Sequence, residues 1–230
     1  MAKGNFSAHR FWLAHQFAST EETRYYLNGV YIEPGAEGGV VMVATDGHVM
    51  AIVNDPTGSI DAPAIVGLAA FKSALSACKP IGRHEPDSVR CALDGDALEV
   101  TERRKAGEEW RDEFLAKAAP VLIDGSFPDW RRVLPAADRS KGIMPDREAI
   151  SSTLLGRIAC ALKPFGKGNP PLRFAGTREA GLPFWVMPVG LEAKFGSGVI
   201  FVAMPMRAAE ASSLEWLERQ RRYAGETFSA

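Results

Sequence analysis

The order of the elements that this sequence predicts constrains its fold more than any single motif, because a helix followed by short strands occurs three times. Apolar side chains at helical spacing predict helices after a Ser7 cap, over residues 68–79 and over residues 146–162, the last with Asp146 as its cap. Segments rich in β-branched and aromatic residues follow each helix. This repeated order predicts an α+β fold with antiparallel sheets.

The predicted strands fall into three groups separated by turn-forming residues. The charged stretch 102–117 predicts a solvated loop or a short helix, 136–142 a linker, and 208–222 a helix with favourable i,i+4 charge pairs. No Gly-rich strand-to-helix turn of a nucleotide-binding unit is found in the sequence. The predicted strands are 25–32, 40–43 and 49–53, then 88–93, 97–101 and 119–123, then 172–175, 184–189 and 199–203.

Length and charge limit the classes of function. A chain of 230 residues can bury one large core or two smaller ones. The formal net charge is −1, so any attraction to nucleic acid must come from a local arrangement of basic side chains. The sequence has neither a signal peptide nor an apolar run long enough to span a bilayer, which predicts a cytoplasmic protein without membrane contact.

The candidates for metal binding and catalysis are few. The scattered Cys78, Cys91 and Cys160 have no metal-ligand spacing with each other or with histidine, and we expect buried free thiols and no metal. Asp46, His48 and Asp129 are accompanied by no Ser or Cys nucleophile motif. The sequence therefore predicts a protein that is not an enzyme and uses no cofactor.

Four short strings carry a resemblance to a known family. They are TRYYLNG at 23–29, ATDGH at 44–48, FPDWRRVLP at 127–135 and FVAMPMR at 201–207. In identity, order and spacing they resemble the bacterial sliding clamp family, the β subunit of DNA polymerase III. The resemblance implies a DNA-clamp fold shortened to about three half-units. Residues 1–135 would correspond to the second clamp domain and 136–207 to the second half of the third, with 208–230 as a helical extension.

The resemblance also implies a groove that binds the clamp-binding peptides of polymerase-type partners. Flexible methionines, a leucine and valines suit varied apolar side chains. Val49 departs from the family, which often has an arginine there, whereas Met50 keeps the apolar character. The residues implied in this groove are Leu27, Thr45, Gly47, His48, Met50, Pro128, Arg132, Val133, Val202, Met204, Pro205, Met206 and Arg207.

The resemblance also implies contacts with double-stranded DNA that do not depend on base sequence. Arg24, Tyr25 and Tyr26 match a loop that touches duplex DNA in the family, although alternating burial in a strand would also explain them. The basic side chains on predicted helices are each also consistent with an ordinary solvated charge; they are Arg10, Lys72, Lys79, Arg147, Arg157 and Lys163.

The implied partners are DNA, polymerases and other proteins with clamp-binding motifs, and a clamp loader. A family ring contains twelve half-units, so chains with three each would close a ring as a homotetramer. The alternative is a non-encircling clamp-like protein, such as a phage or mobile-element decoy or regulator of the replication clamp. For the extension, two interpretations stay open: a helix packed on its own domain, or residues 214–217 placed in a groove.

Overall fold

The computed structural model describes residues 2–80, 88–106, 108–135, 148–166, 170–176, 181–191, 195 and 198–207. Three helices, α1 (Ala8–His15), α2 (Lys72–Cys78) and α3 (Ser152–Leu162), accompany 3₁₀ turns at Glu22–Leu27, Trp130–Val133 and Lys163–Phe165. The strands are β1 (Lys3–Ser7), β2 (Val30–Pro34), β3 (Val40–Thr45), β4 (Val49–Asp55), β5 (Ser59–Ile60), β6 (Ala64–Val66), β7 (Val89–Asp94), β8 (Ala97–Ala106), β9 (Glu109–Ala118), β10 (Glu148–Ala149), β11 (Leu172–Ala175), β12 (Phe184–Pro188), β13 (Val199–Ala203) and β14 (Met206–Arg207).

Two antiparallel sheets form the framework. One has five strands in the order β5-β1-β7-β8-β9, and the other has seven in the order β11-β12-β13-β4-β3-β2-β6. In the larger sheet β13 pairs with β4, with Phe201 opposite Ala51. The strands of the third predicted unit therefore extend the sheet of the first unit, and the sheet crosses the predicted boundary at residue 135.

The main core lies between the helices and the two sheets. Phe6, Phe11, Phe17 and Phe201 are fully buried there, and the rings of Phe17 and Phe201 lie 5.0 Å apart. Ser7 caps α1 as predicted, because its hydroxyl oxygen accepts from the Arg10 amide at 3.5 Å. The outer face of the larger sheet carries a second, smaller cluster around Val43, Met50 and Val202.

The prediction of a solvated loop or a short helix for the charged stretch 102–117 is wrong. This stretch forms most of a hairpin in which β8 and β9 pair from Leu98↔Ala118 to Ala106↔Glu109. Both faces of the hairpin tip meet solvent, so apolar and polar residues do not alternate there and the usual strand pattern is missing. At the exposed tip, side chains lie next to cross-strand partners, such as Arg103 opposite Asp112, instead of packing on the core.

Other boundaries also differ. Tyr25–Leu27 belongs to a 3₁₀ turn instead of a strand, residues 119–123 contribute one isolated bridge at Leu122, and α2 begins at Lys72 instead of residue 68. The strands β1, β5 and β6 were not predicted from the sequence. The third predicted helix, over 146–162, is too long at its start: residues 148–149 form β10 and α3 begins at Ser152. The helix cap predicted at Asp146, the 136–142 linker and the 208–222 helix lie outside the described residues.

The cysteines follow the prediction in part. Cys78 and Cys91 are buried with their sulfur atoms 3.6 Å apart, whereas Cys160 is exposed, which corrects the expectation of a buried thiol there. In α3, Leu154, Ile158 and Leu162 take the buried positions, and Cys160 points away from them.

Candidate functional site

An open pocket of about 270 Å³ lies beside the second hydrophobic cluster, on the outer side of the larger sheet. The ends of β3, β4 and β13 form its floor, and the turns at 24–27 and 127–133 form its walls. Residues from all four strings line this pocket, and those of the fourth string are Val202 and Met204. Its lining residues are Arg24, Tyr26, Leu27, Thr45, Gly47, His48, Val49, Met50, Phe127, Pro128, Asp129, Trp130, Val133, Val202 and Met204.

The wall at 127–133 is held to the sheet through Glu33 of β2. The Glu33 carboxylate accepts from Trp130 Nε1 at 3.2 Å, from Arg131 Nη2 at 2.7 Å and from the Tyr31 hydroxyl at 3.2 Å. Tyr31 also stacks on Phe127, with ring centroids 4.9 Å apart and the rings nearly parallel. Burial, then the charge and hydrogen bond of Glu33, raise the pKa of Tyr31. One largely buried carboxylate therefore organises this wall.

The rim at residues 45–49 is a tight turn. The Thr45 hydroxyl donates to the Val49 carbonyl at 2.8 Å and accepts from the Gly47 amide at 3.0 Å. Gly47 has φ +92°, and a Cβ there would lie 2.8 Å from the Arg24 guanidinium, so glycine suits both the backbone and the space. The Met204 amide donates to the His48 carbonyl at 2.9 Å, which brings the fourth string onto this turn.

A second pocket of about 400 Å³ adjoins the first and shares His48, Val49 and Met204 with it. The start of α3 closes its far side, where Leu154 and Arg157 lie. We call the two pockets together the groove. The remaining lining residues of the second pocket are Asp46, Ser151, Thr153, Pro205 and Met206.

Arg157 joins α3 to the turn between the pockets. Its guanidinium forms an ion pair with Asp46, donates to the Gln16 carbonyl at 2.9 Å and lies 5.2 Å from the centroid of the Phe17 ring. Burial of Asp46 opposes ionisation, but the amides of Val49 and His48 and the Arg157 guanidinium outweigh it and lower the pKa of Asp46. The Asp46 carboxylate therefore stays charged, and its ion pair with Arg157 holds the turn between the two pockets against α3.

The groove is apolar and open to solvent. Val133, Met204 and Met206 are 48%, 41% and 53% exposed, and they lie together around the two pockets. Clustered exposure of this kind is typical of a protein-binding surface.

The structure brings most of the predicted groove residues together. Arg132 is exposed on the 130–133 turn but lines neither pocket, and Arg207 is the last residue of β14. Three of the lining residues that were not predicted from the sequence are Phe127 and Trp130, which belong to the third of the four strings, and Leu154 of α3, which belongs to no motif. The predicted groove residues that line a pocket are Leu27, Thr45, Gly47, His48, Met50, Pro128, Val133, Val202, Met204, Pro205 and Met206.

The residues predicted to contact DNA separate into two sets. Arg10 is 4% exposed, and its guanidinium donates to the Asn54 carbonyl at 2.7 Å, so the expected phosphate contact is corrected. The Arg157 guanidinium pairs with Asp46 and with the Gln16 carbonyl, while its side chain is 34% exposed, so its contact with DNA stays a prediction. Arg24 forms two hydrogen bonds with Glu21, at 2.6 and 2.8 Å.

The remaining DNA candidates are more accessible. Tyr25 is 53% exposed, and Tyr26 lies edge-on to it and lines the first pocket. Lys72, Lys79 and Lys163 are exposed on or next to α2 and α3. Arg147 lies outside the described residues.

Within the described part of the chain, no group of three or more His, Cys, Asp or Glu side chains is placed to hold a metal ion. Nor does any helix there have both the length and the apolar character needed to span a membrane.

No protein-family model matches the chain. It is 32% identical over 142 residues to the β sliding clamp of Caulobacter vibrioides and 31% identical over 129 residues to that of Escherichia coli K12. These matches cover 59% and 56% of this chain but 34% and 30% of the relatives, so the matched region spans about a third of their length.

Solved structures of clamps share the fold. A sliding clamp from Bartonella birtlesii bound to griselimycin gives a TM-score of 0.57 at 20% identity, covering 89% of this chain and 65% of that one. A β sliding clamp from Caulobacter crescentus gives 0.58 at 20% identity, covering 90% and 65%. The chain has the DNA-clamp fold and resembles bacterial sliding clamps over the part of their length that it covers.

Proposed function

We propose that this chain is a clamp-like DNA replication factor whose groove docks short peptides of polymerase-type partners. The observation that carries the proposal is the convergence of all four strings on two adjoining apolar pockets. The protein would act by binding, without chemistry of its own and without a cofactor.

The groove suits an extended peptide with two apolar anchors. Met50 and Met204 can adjust to varied side chains because the thioether is flexible. Burying one leucine-sized anchor in each pocket would contribute about 1.5–3 kcal/mol per anchor. The two anchors together contribute about 3–6 kcal/mol, less than the roughly 8 kcal/mol of a micromolar dissociation constant, so the rest of the peptide must also contact the groove.

A substitution at an exposed groove residue tests the docking site. Met204→Asp places a charge between the two pockets, and we expect it to weaken binding of a labelled polymerase clamp-binding peptide at least tenfold, measured by fluorescence anisotropy. Val189→Asp is the matched control, because Val189 is 42% exposed, like Met204 at 41%, and lines neither pocket. Equal affinities for both variants would contradict the proposed groove.

We further propose that the helices face DNA. Lys72, Lys79 and Lys163 are exposed on the helical side, whereas the groove lies beside the cluster on the outer face of the larger sheet. Contacts from these lysines would go to phosphates and would depend strongly on salt. Replacing all three with glutamine should flatten the salt dependence of duplex binding without changing peptide affinity.

Ring closure would need other copies of the chain. In the described residues, β9 and β11 each lie at one end of a sheet, and Trp110, Phe114 and Phe174 on these strands are exposed. A strand at the edge of a sheet has unpaired backbone N–H and C=O groups, which can pair with a strand of another copy. We propose a homotetrameric ring; light scattering that finds a monomer at micromolar concentration would contradict it.

A second candidate is a clamp-like protein that does not encircle DNA and binds clamp partners as a decoy or regulator. Its support is the groove itself, since capture of clamp partners needs the two apolar pockets but no closed ring. Retention on circular and linear DNA distinguishes the two. A ring stays on closed circles and slides off free ends, whereas a decoy does neither.

A further inference from the structure

We propose that residues 214–217 of this chain, Leu-Glu-Trp-Leu, occupy the groove and compete with its partners. The inference rests on the proposed docking function and adds a regulator of the same site. Residues 208–230 lie outside the described part of the chain, and we infer their binding site from their sequence and from the position of Arg207 in β14.

The point of exit is fixed at the groove. Met206 and Arg207 form β14, which pairs with β10 through Ala149↔Met206 and Glu148↔Arg207. Met206 itself lines the second pocket and is 53% exposed. The segment that follows Arg207 therefore starts at the rim of the second pocket.

The chain between Arg207 and Leu214 can reach either pocket. Seven residues extend to at most about 25 Å. Both pockets border Met204, which lies three residues before Arg207. Even a partly folded connection leaves enough length to turn back onto the groove.

The segment carries the side chains that the groove accepts. Leu214, Trp216 and Leu217 are the large apolar residues of 208–222, and the other positions there are small or polar. Burying each of these three side chains would contribute about 1.5–3 kcal/mol relative to leaving it in water. Two of them can fill the two pockets, beside the apolar surface of Leu154 and Met204.

Tethering makes even weak binding effective. A short flexible connection gives an effective concentration of millimolar order. A segment with an intrinsic dissociation constant of about 100 μM would then occupy most grooves and weaken the affinity for an external peptide about tenfold.

The test uses the full chain and a labelled polymerase clamp-binding peptide. Leu214→Asp with Leu217→Asp removes the anchors, and we expect about tenfold tighter peptide binding. Ser212→Asp with Ser213→Asp is the matched control, because it adds the same two charges directly before Leu214 and keeps all three apolar side chains. This control should bind like the unsubstituted chain.

Three outcomes separate the two proposals. If both variants bind as tightly as the unsubstituted chain, competition by the tail is overturned and the docking groove stands. A labelled peptide of residues 208–222 should also bind the Leu214→Asp, Leu217→Asp chain and lose that affinity when Met204→Asp is added. If only the tail peptide binds, the polymerase-docking function fails and the tail contact stands; if neither peptide binds, both proposals fail.

Discussion

Removing the Glu33 carboxylate should loosen one wall of the groove. In Glu33→Ala, Trp130, Arg131 and Tyr31 lose a common acceptor that is only 12% exposed at its side chain. A hydrogen bond to a charged group contributes about 1.5–3 kcal/mol, but Arg131 is 54% exposed, and its share falls to about 1 kcal/mol or less. We expect a total loss of about 3 kcal/mol in the free energy of unfolding.

The same change should weaken the groove. Each 1.4 kcal/mol lost from docking of the 127–133 wall corresponds to about a tenfold change in equilibrium, so peptide affinity should fall at least tenfold. Urea unfolding and fluorescence anisotropy measure the two effects. Glu37→Ala, at an exposed glutamate on the same hairpin, should stay within about 0.5 kcal/mol of the unsubstituted chain.

Glu33→Gln adds a readout that general destabilisation would not produce. The amide keeps an acceptor oxygen but removes the charge, so the pKa of Tyr31 should fall, as followed by ultraviolet titration. Unchanged stability, peptide affinity and tyrosine titration in the Glu33 variants would refute this reasoning.

Three further predictions concern pH and assembly. Arg157→Met should raise the pKa of Asp46 and reduce stability by about 1–2 kcal/mol at neutral pH; because the lowered pKa stabilises the fold only while Asp46 is ionised, the difference in urea unfolding should shrink as the pH falls below about 4, to the part that comes from the Gln16 and Phe17 contacts. Burial lowers the pKa of His15 from 6.5 to about 4, so the unfolded chain binds the proton first; stability should fall by at most about 3 kcal/mol between pH 6.5 and 4, and His15→Gln should flatten that slope. Trp110→Ser with Phe114→Ser should lower the oligomer mass in light scattering without changing peptide affinity.

Sequence patterns predicted the core elements well because burial imposes a period on them. β3 and β4 are nearly continuous apolar runs because one face packs on the main core and the other on the second cluster, and the apolar stripe of α3 follows from facing the main core. The β8–β9 hairpin was missed because its tip faces solvent on both sides, and β1 because its pairing partners β5 and β7 are distant in sequence.

The candidate site was predictable to the extent that it lies in the four strings. The positions of the other side chains depend on contacts between residues that are distant in sequence. Arg10 and Arg157 look like surface cations in sequence, but Asn54 and Asp46, far along the chain, supply acceptors that draw them into the fold. The role of Glu33 depends on Trp130 and Arg131, about a hundred residues away, and no local pattern records that contact.

The central claim, a peptide-docking groove on a clamp fold, can be tested residue by residue with methyl-¹³C methionine spectra of the full chain. On addition of a polymerase clamp-binding peptide, we expect the signals of Met50, Met204 and Met206 to shift in a saturable way, while Met42, fully buried in the main core, stays unchanged. Absence of any shift, or shifts at other methionines that leave the groove signals in place, would contradict the account.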